Sequence, residues 1–381
     1  MKLPGSPQIG YRADTLYVED CAVESLARDF GTPLYIYSQD AMLTALAGYQ
    51  RALAGRDHLV CYAMKANSTL AVLQTFARAG CGFDIVSGGE LARVLAAGAD
   101  PETVVFSGVG KRRSEMREAL EAGVLCFNVE SEEELVVLSD VAVAAGCTAR
   151  VSLRVNPDVD AGTHPYISTG LKENKFGIAH GDAVAAYRRA ALLPGLEVAG
   201  IDCHIGSQIT EIAPYLDALD RLLDLIERVE QHGIVIAHLD LGGGLGITYP
   251  DETPPAAEQL VRAMLDRIDA RGHAQRRILL EPGRSLVGNA GVLVSEVVYL
   301  KRGATKNFCV VDAAMNDLLR PALYDAWMHI IACRVRSVEA IRCDVVGPIC
   351  ESGDWLGRDR ELAVEAGDFV AVLSAGAYAM S

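Results

Sequence analysis

Four groups that lie far apart along the chain have the chemistry of an active site: Lys65 in CYAMKAN, His204 in CHIGSQ, the glycines 242–244 in LDLGGGLGIT, and Glu281 in LLEPGRS. A desolvated lysine, or one close to other cations, loses its proton more easily and can attack a carbonyl carbon, the first step of Schiff-base chemistry. Glycines at a strand end leave backbone N–H groups accessible to a phosphate. An imidazole suits stacking on a planar ring, and a carboxylate can hold a proton on a ring nitrogen. Together the four groups predict a site for pyridoxal phosphate.

Each of these groups has a commoner interpretation when it is taken alone. A lysine at a strand end is usually a solvated surface residue, a single histidine usually lies in a core, and three glycines can form a tight turn. Glu281 can pair with Arg284 at the surface. The glycines are not a dinucleotide motif, because the third glycine is missing, and GVGKRR at 108–113 lacks the Ser or Thr of a nucleotide loop. The combination, and not any one member, predicts the cofactor site.

A repeating pattern of short apolar strands and longer helices positions these groups. The predicted strands are 59–64, 82–86, 103–106, 124–128, 149–155, 198–203, 235–241 and 277–281. The predicted helices, with apolar residues at three- and four-residue intervals, are 38–54, 68–79, 88–98, 113–122, 131–145, 182–192, 211–232 and 256–271. Eight alternations over ~250 residues match an α/β fold with a closed (β/α)8 barrel, and an open doubly wound sheet is the alternative. The barrel is favoured because its active site lies at the carboxyl ends of its strands, where all four groups fall.

The pattern changes after residue 285. Valine-rich runs at 292–300, 307–312, 330–338, 342–346 and 368–374 are separated by Gly and Pro, which is typical of a compact β domain. The stretch YRADTLYVE near the start of the chain predicts further strands that join this domain. We therefore predict a barrel that binds pyridoxal phosphate over 33–285 and a second, mostly β domain made of 1–32 and 286–381.

The composition limits the classes of protein to which the chain can belong. The 381 residues are 50% hydrophobic with a formal net charge of −15, which favours a folded core and opposes binding to nucleic acid unless a local basic groove exists. None of the ten cysteines has the spacing of zinc or redox motifs, so reduced thiols and no metal are predicted. No apolar run reaches the ~18 residues of a membrane span, and the start lacks a signal peptide. We predict a cytoplasmic enzyme with a small-molecule substrate and no membrane or nucleic-acid partner.

The position of Glu281 indicates the type of reaction. A carboxylate at the pyridine nitrogen keeps that nitrogen protonated, and a protonated pyridine is a strong electron sink for a carbanion at Cα. Such a ring favours loss of CO₂, whereas a cationic residue at the nitrogen would weaken the sink and suit racemisation. The residues therefore predict a decarboxylase.

A series of motifs in fixed order resembles one family over nearly the whole chain. The motifs are CYAMKAN, FDIVSGGEL, RVNPDV, HPYISTGLKENKFGI, HIGSQ, LDLGGGLGI, EPGRS, MNDLLRPALYDA, CESGDWL and GAY. Together they are similar to those of the diaminopimelate decarboxylases, which have the alanine-racemase-like fold of the type III pyridoxal-phosphate decarboxylases. The resemblance implies conversion of meso-2,6-diaminopimelate to L-lysine and CO₂, as a step of lysine biosynthesis, by a head-to-tail homodimer with its active sites at the interface.

The resemblance also implies roles for individual residues. Lys65 would attach the cofactor, with Asp84 and Glu90 supporting that side of the site, and His204 would stack on the ring. The phosphate and the ring nitrogen would be held by Ser207, Gly243, Gly244, Glu281, Gly283 and Arg284. The distal carboxylate of the substrate would be bound by Arg284, Arg320 and Tyr324. From the partner subunit, Cys350 would protonate Cα and Glu351 would bind the distal ammonium, while Tyr378 would face cofactor and substrate.

Arg320 in RPALY carries the prediction of the substrate. Diaminopimelate has a second amino-acid end, and arginine pairs well with a carboxylate through two parallel hydrogen bonds. Arg284 discriminates less, because related decarboxylases also carry EPGR. The alternatives are a decarboxylase of ornithine, arginine or lysine on the same fold and a non-catalytic relative that binds pyridoxal. Members of the family usually continue past GAY, so the end at Ser381 favours a shortened β domain and the non-catalytic alternative, whereas Lys65, Cys350 and Glu351 oppose that alternative.

Overall fold

The computed structural model describes residues 3–160, 175–250 and 252–380. The chain divides into two compact units. The barrel unit consists of Ala45–Gly246 and Pro254–Gly283, and the β unit consists of Met1–Thr44, Ile247–Thr253 and Arg284–Ser381. Most of the motif HPYISTGLKENKFGI lies outside the described residues.

The strands and helices are numbered in chain order. The strands are β1 (Ile9–Arg12), β2 (Thr15–Val18), β3 (Cys21–Ala22), β4 (Leu34–Tyr37), β5 (His58–Ala63), β6 (Gly82–Ile85), β7 (Val104–Phe106), β8 (Cys126–Val129), β9 (Ala149–Asn156), β10 (Ile178–Ala179), β11 (Leu196–Asp202), β12 (His238–Asp240), β13 (Arg277–Leu280), β14 (Gly291–Lys301), β15 (Phe308–Val311), β16 (Ile330–Ala332), β17 (Ile341–Val346), β18 (Trp355–Leu362) and β19 (Phe369–Val372). The α-helices are α1 (Val23–Phe30), α2 (Gln39–Ala52), α3 (Leu70–Arg78), α4 (Gly88–Ala96), α5 (Arg113–Ala122), α6 (Glu132–Ala145), α7 (Ala183–Ala190), α8 (Ala213–Glu230), α9 (Ala257–Ala270), α10 (Arg284–Val287) and α11 (Leu319–Tyr324). Within the described ranges, none of these helices combines the length and the apolar character needed to cross a lipid bilayer.

Parallel strands of the barrel unit close into a ring. Hydrogen bonds join β5, β6, β7, β8, β9, β11, β12 and β13 in that order, and β13 pairs with β5 to complete the ring. Strands β6, β7 and β8 are buried along their whole length, as expected for parallel strands that are covered on both faces. The closed (β/α)8 barrel predicted from the sequence is confirmed, and the open sheet is excluded.

Capped turns convert the barrel strands into the helices that follow them. Ser87 accepts a hydrogen bond from the backbone N–H of Glu90 at 3.2 Å and so caps α4. The Glu90 carboxylate accepts from the backbone N–H of Val86 at 2.6 Å, and burial raises the pKa of Glu90. Glu90 therefore stabilises the turn between β6 and α4, directly after the strand that carries Asp84.

The β unit is built on a mixed sheet with its own core. The strand order is β16, β19, β14, β15, β17 and β18, and β4 pairs with β14. Its core cluster includes the fully buried Leu293, Val297, Val311 and Leu356. β18 lies outside the predicted valine-rich runs because its sequence WLGRDREL is rich in charged residues.

Two features of the β unit differ from the sequence prediction. The strands of YRADTLYVE form a separate sheet, β1–β2–β3, which an isolated bridge between Thr15 and Arg334 connects to the segment after β16. The predicted barrel begins at residue 33, but β4 is antiparallel to β14 over Leu34–Tyr37 and therefore belongs to the β unit. Pairing between segments that are ~250 residues apart leaves no local signal in the sequence.

Candidate active site

Lys65 lies just beyond the carboxyl end of β5, in a short 3₁₀ turn over Met64–Ala66. Its Nζ is 2.7 Å from Oδ2 of Asp84, which is the third residue of β6. The lysine side chain is 40% exposed and the aspartate side chain is fully buried. Asp84 therefore holds the charged end of Lys65 at the mouth of the barrel, and Oδ1 of Asp84 has no hydrogen-bond partner among the described residues.

A buried array of carboxylates lies at the ends of three other barrel strands. Oxygen atoms of Asp202, Asp240 and Glu281 lie within 4.8 Å of one another. Asn128, in β8, donates from Nδ2 to Oε1 of Glu281 at 3.2 Å and to Oγ of Ser107 at 3.1 Å. The acid predicted at the end of the eighth strand is thus buried in the barrel, held by an amide, and not paired with Arg284 at a surface.

Burial changes the protonation of this array. It raises the pKa of Glu281 well above its usual value, and the neighbouring Asp240 raises it further. Burial also raises the pKa of Asp240 to about 6. Both shifts oppose full ionisation of the array, and a ring nitrogen placed against Glu281 would meet a group that can share a proton with it.

His204 and the glycine loop form one backbone-linked structure at the same ends of the strands. Nδ1 of His204 accepts a hydrogen bond from the backbone N–H of Gly243 at 3.2 Å. Burial lowers the pKa of His204 well below its usual value, so the imidazole is neutral. A Cβ on Gly243 would lie 2.1 Å from the carbonyl oxygen of Glu281, and one on Gly244, whose φ is +96°, would lie 2.2 Å from that of Gly206. Only glycine allows this loop to approach the neighbouring strand ends so closely.

A cluster of arginine and tyrosine residues forms in the β unit. Arg284 donates from Nη1 to the hydroxyl of Tyr249 at 2.6 Å, and its guanidinium carbon is 4.8 Å from the ring centre of Tyr378. The guanidinium carbon of Arg320 is 4.9 Å from the ring centre of Tyr249 and 5.8 Å from that of Tyr324.

Arg320 is buried and has no acidic partner in the part of the chain that the structure describes. Within residues 3–160, 175–250 and 252–380 its side chain makes no ion pair, and its buried Nε has no hydrogen-bond partner. Burial lowers the pKa of its guanidinium, which reflects the cost of holding a cation away from water. A carboxylate ligand bound to Arg320 would offset this cost.

Cys350 and Glu351 lie on the loop between β17 and β18 of the β unit, and both side chains are exposed. Oε1 of Glu351 accepts from the backbone N–H of Gly353 at 3.1 Å. Lys65 belongs to the barrel unit, whereas Cys350 and Glu351 belong to the β unit.

Comparison with known proteins decides the family. Residues 40–288 match the model described as pyridoxal-dependent decarboxylase, pyridoxal binding domain. The diaminopimelate decarboxylase of Pseudomonas aeruginosa is 60% identical over 97% of this chain and 88% of its own length. The chain belongs to the diaminopimelate decarboxylase family. The resemblance predicted from the motifs is confirmed, together with the pyridoxal cofactor of that family.

Solved structures of diaminopimelate decarboxylases share the fold. The enzyme from M. jannaschii, in complex with L-lysine, has a TM-score of 0.94 and 37% identity over 99% of this chain and 90% of that chain. The enzyme from Helicobacter pylori, also with L-lysine, has a TM-score of 0.89 and 40% identity over 94% of this chain and 90% of that chain.

The residues of the barrel unit fit the cofactor of the diaminopimelate decarboxylases. An amine at a barrel mouth, a neutral buried imidazole and a glycine loop that excludes side chains suit an aldehyde, a planar ring and a phosphate. The acids at the barrel mouth outnumber the cations paired with them, Lys65 beside Asp84 and Arg154 at 4.0 Å from Asp202, among the residues that the structure describes. A protonated ring nitrogen would add positive charge beside Glu281.

Sequence reasoning missed several residues that shape this diaminopimelate decarboxylase site. Asp240 and Asp202 are the last residues of β12 and β11, Asn128 lies within β8, and Tyr249 follows the glycine loop. The sequence prediction is based on residues that follow strands, whereas Asp202, Asp240 and Asn128 lie within strands and face the barrel interior. The sequence carries a weak signal for Asp240, because a charged residue near the end of the mostly apolar run VIAHLDL requires a partner if it is buried.

The raised pKa of Asp240 predicts a pH-dependent effect on stability. A folded-state pKa of about 6, against an ordinary value of 3.8, means that the native protein binds more protons than the unfolded chain between these pH values. Stability is then lost as the pH rises through this window. We expect Asp240→Asn to raise the Tm of the cofactor-free protein by a few degrees at pH 8, with no gain near pH 4.

Differential scanning calorimetry at both pH values measures this effect. Asp359→Asn is the matched control, because Asp359 is an exposed acid whose pKa is lowered by its hydrogen bond to Arg342, and it should give no gain at pH 8. An equal loss of Tm for Asp240→Asn at both pH values would show that the carboxylate contributes only hydrogen bonds.

Proposed function

We propose that this chain is a pyridoxal-phosphate-dependent carboxy-lyase that converts meso-2,6-diaminopimelate to L-lysine and CO₂. The observation that carries the proposal is Arg320, a buried cation that has no acidic partner among the described residues and lies against Tyr249 and Tyr324. A substrate with a carboxylate at its distal end would supply that partner. Sequence identity of 60% to a diaminopimelate decarboxylase supports the same substrate.

Residues of the barrel unit would hold the cofactor. Lys65 would attach it through Nζ, and the neutral ring of His204 would stack on the pyridine. The backbone of Gly243, Gly244 and Gly283, with Ser207, would surround the phosphate. A Cβ on Gly283 would lie 3.2 Å from Cβ of both Ala63 and Ala66, which supports a closely packed wall beside the lysine turn.

Glu281 would control the proton at the pyridine nitrogen. When bound, pyridoxal phosphate supplies a protonated ring that withdraws the electron pair left at Cα when CO₂ departs. Asn128 keeps the carboxyl group of Glu281 in place through the 3.2 Å hydrogen bond, and the neighbouring Asp240 raises the pKa of Glu281 further. These residues maintain the charge state on which the loss of CO₂ depends.

The β unit would bind the distal end of the substrate and return a proton to Cα. Arg320, with Arg284 and Tyr324, would bind the distal carboxylate, and Tyr378, which lies against Arg284, would face cofactor and substrate. Cys350 would donate the proton to Cα and Glu351 would bind the distal ammonium, both from the second subunit of a homodimer. The exposure of both side chains supports a role toward a partner.

A comparison of substrates tests the proposal. CO₂ release should be fastest with meso-diaminopimelate and much slower with lysine, ornithine or arginine, since these lack the distal carboxylate. A preference for ornithine or lysine would instead assign the chain to the basic amino acid decarboxylases. Absorbance of bound cofactor without product from any of these substrates would indicate a non-catalytic pyridoxal-binding protein.

Arg320→Ala should reduce kcat/KM for diaminopimelate by about 30-fold or more, because truncating one partner of a buried charge pair costs ~2–5 kcal/mol. Inhibition by the product L-lysine should weaken as well, because lysine keeps the distal carboxylate after CO₂ leaves the reacting end. Inhibition by cadaverine, a diamine without a carboxylate, should change much less. Arg342→Ala, which removes an exposed arginine paired with Asp359, is the control and should leave all three values unchanged. Equal weakening of inhibition by L-lysine and by cadaverine would argue against a carboxylate at Arg320.

We also propose that the protein works in the cytoplasm, as part of lysine biosynthesis. All ten cysteines are free thiols, and most of them are buried. Burial raises the pKa of several of these thiols, that of Cys81 to about 12, which keeps them unreactive. Free thiols in a chain of this size are typical of a reducing compartment.

A further inference from the structure

We propose that Asp354 is a positioning residue that sets the conformation of the loop presenting Cys350 and Glu351, and that it ties this loop to the segment before Arg320. The proposal deepens the proposed function, on which the roles of Cys350 and Glu351 rest. The loop, called the 347–354 loop, runs from Gly347 after β17 to Asp354 before β18.

The carboxylate of Asp354 is buried and fully engaged by backbone groups. Asp354 is only 3% exposed, and its carboxylate makes no ion pair with a described residue. Oδ1 accepts a hydrogen bond from the backbone N–H of Met315 at 2.7 Å, and Oδ2 accepts one from that of Ile349 at 2.7 Å. One carboxylate therefore joins the 347–354 loop to the MNDLLRPALY segment.

The backbone of the loop is closed around the same residue. The N–H of Gly347 donates to the carbonyl oxygen of Asp354 at 3.2 Å, and the N–H of Asp354 donates to that of Glu351 at 3.0 Å. The N–H of Glu351 donates in turn to the carbonyl oxygen of Ile349 at 2.8 Å. Two of these three hydrogen bonds begin or end at Asp354, so the backbone positions of Cys350 and Glu351 depend on that residue.

Gly347 leaves the space that this carboxylate needs. A Cβ at residue 347 would lie 2.5 Å from Oδ2 of Asp354 and 2.7 Å from the carbonyl oxygen of Ala313. Any side chain there would separate the carboxylate from the segment that contains Met315. Gly347 and Asp354 therefore act together to fix the loop, and substitution of either residue tests this role.

The exposure of the side chains on this loop explains why the hydrogen bonds of Asp354 are needed. The side chains of Cys350 and Glu351 are exposed and Ile349 is 43% exposed, so apolar packing contributes little to fixing them. Catalytic groups must be held within about 1 Å of their working position, and such a displacement can cost on the order of 100-fold in rate. Asp354 supplies the constraint through the main chain.

The test compares Asp354→Asn with Asp359→Asn in the holoenzyme. Asparagine keeps one acceptor but places an NH₂ group against a backbone N–H, whereas Asp359 is an exposed residue of the neighbouring β18. We expect Asp354→Asn to lower kcat on the order of 10- to 100-fold and to raise KM for diaminopimelate, with unchanged cofactor absorbance. Asp359→Asn should change none of these.

A second readout does not depend on turnover. The rate of alkylation of Cys350 by iodoacetamide is measured by mass spectrometry relative to that of Cys21, the other exposed cysteine. This ratio should shift several-fold in Asp354→Asn and stay constant in Asp359→Asn. Gly347→Ala retains the carboxylate of Asp354 but displaces it, so we expect the same shift in the alkylation ratio. This variant tests the proposal if Asp354→Asn does not fold.

The outcomes separate this proposal from the proposed function. An unchanged alkylation ratio with unchanged kcat and KM in a folded Asp354→Asn protein overturns the positioning role. If Cys350→Ala has wild-type activity, the proposed proton donor is wrong, but a shifted alkylation ratio still supports Asp354 as the residue that positions the loop.

Discussion

Lys65→Ala is expected to abolish decarboxylation, with a fall in kcat on the order of 10⁴-fold or more. A protein without the nucleophilic amine cannot attach the cofactor covalently, and the entire route that depends on this attachment is lost. The visible absorbance of lysine-bound cofactor should disappear as well. Steady-state assays of CO₂ release and absorbance spectra of the purified protein measure both effects.

Stability controls distinguish the loss of the amine from the loss of its charge. Lys65→Ala leaves the fully buried Asp84 without its cation at 2.7 Å, so the Tm should fall even though the fold is retained. Lys65→Arg keeps a cation next to Asp84 but supplies no nucleophile, so it should preserve the Tm and remain inactive. Lys301→Ala, at an exposed lysine of the β unit, should have wild-type activity. Substantial turnover by Lys65→Arg would show that Lys65 acts only through its charge.

Cys350→Ala is expected to lower kcat by roughly 10²- to 10⁴-fold, the usual contribution of a positioned proton donor. Cofactor absorbance should not change, since Cys350 is exposed on the 347–354 loop and Lys65 attaches the cofactor. Cys21→Ala removes the other exposed thiol and is the matched control. A wild-type rate for Cys350→Ala would remove this residue from the mechanism.

Mixing the two inactive proteins tests whether the active site is shared between subunits. In a homodimer with shared sites, half of the randomly reassembled dimers contain one subunit of each kind. Each such dimer has one site with both native residues, so about a quarter of the wild-type activity should return. Confirmed heterodimers without any recovery would mean that Lys65 and Cys350 of the same chain form each site.

Much of the fold and the centre of the site follow from local sequence patterns. The spacing of apolar residues predicts each barrel strand and the helices between them, because burial against a neighbour requires a fixed periodicity. The placement of Lys65, His204, Gly242–Gly244 and Glu281 beyond strand ends predicts their convergence, because parallel strands in a closed barrel end on one face. Residue type and order along the chain are sufficient for both inferences.

The electrostatic environment of these residues depends on contacts that only the tertiary structure reveals. The sequence alone leaves open a surface pair of Glu281 with Arg284, whereas the structure surrounds Glu281 with Asn128, Asp240 and Asp202 and places Arg284 against Tyr249. The partners of a buried polar group come from strands far away in the sequence. No local sequence pattern encodes these partners, because any donor that the fold brings within reach can form the hydrogen bond that a buried polar group requires.

The same distinction holds for the β unit. The sequence by itself determined that a valine-rich β domain follows the barrel and that Cys350 and Glu351 share a motif. Only the tertiary structure decided that β4 joins the sheet at β14, that β1–β3 form a separate sheet, and that Asp354 connects its loop to Met315. Periodicity is a property of neighbouring residues, whereas pairing of strands and satisfaction of buried hydrogen bonds are properties of the folded chain, in which residues distant in sequence come into contact.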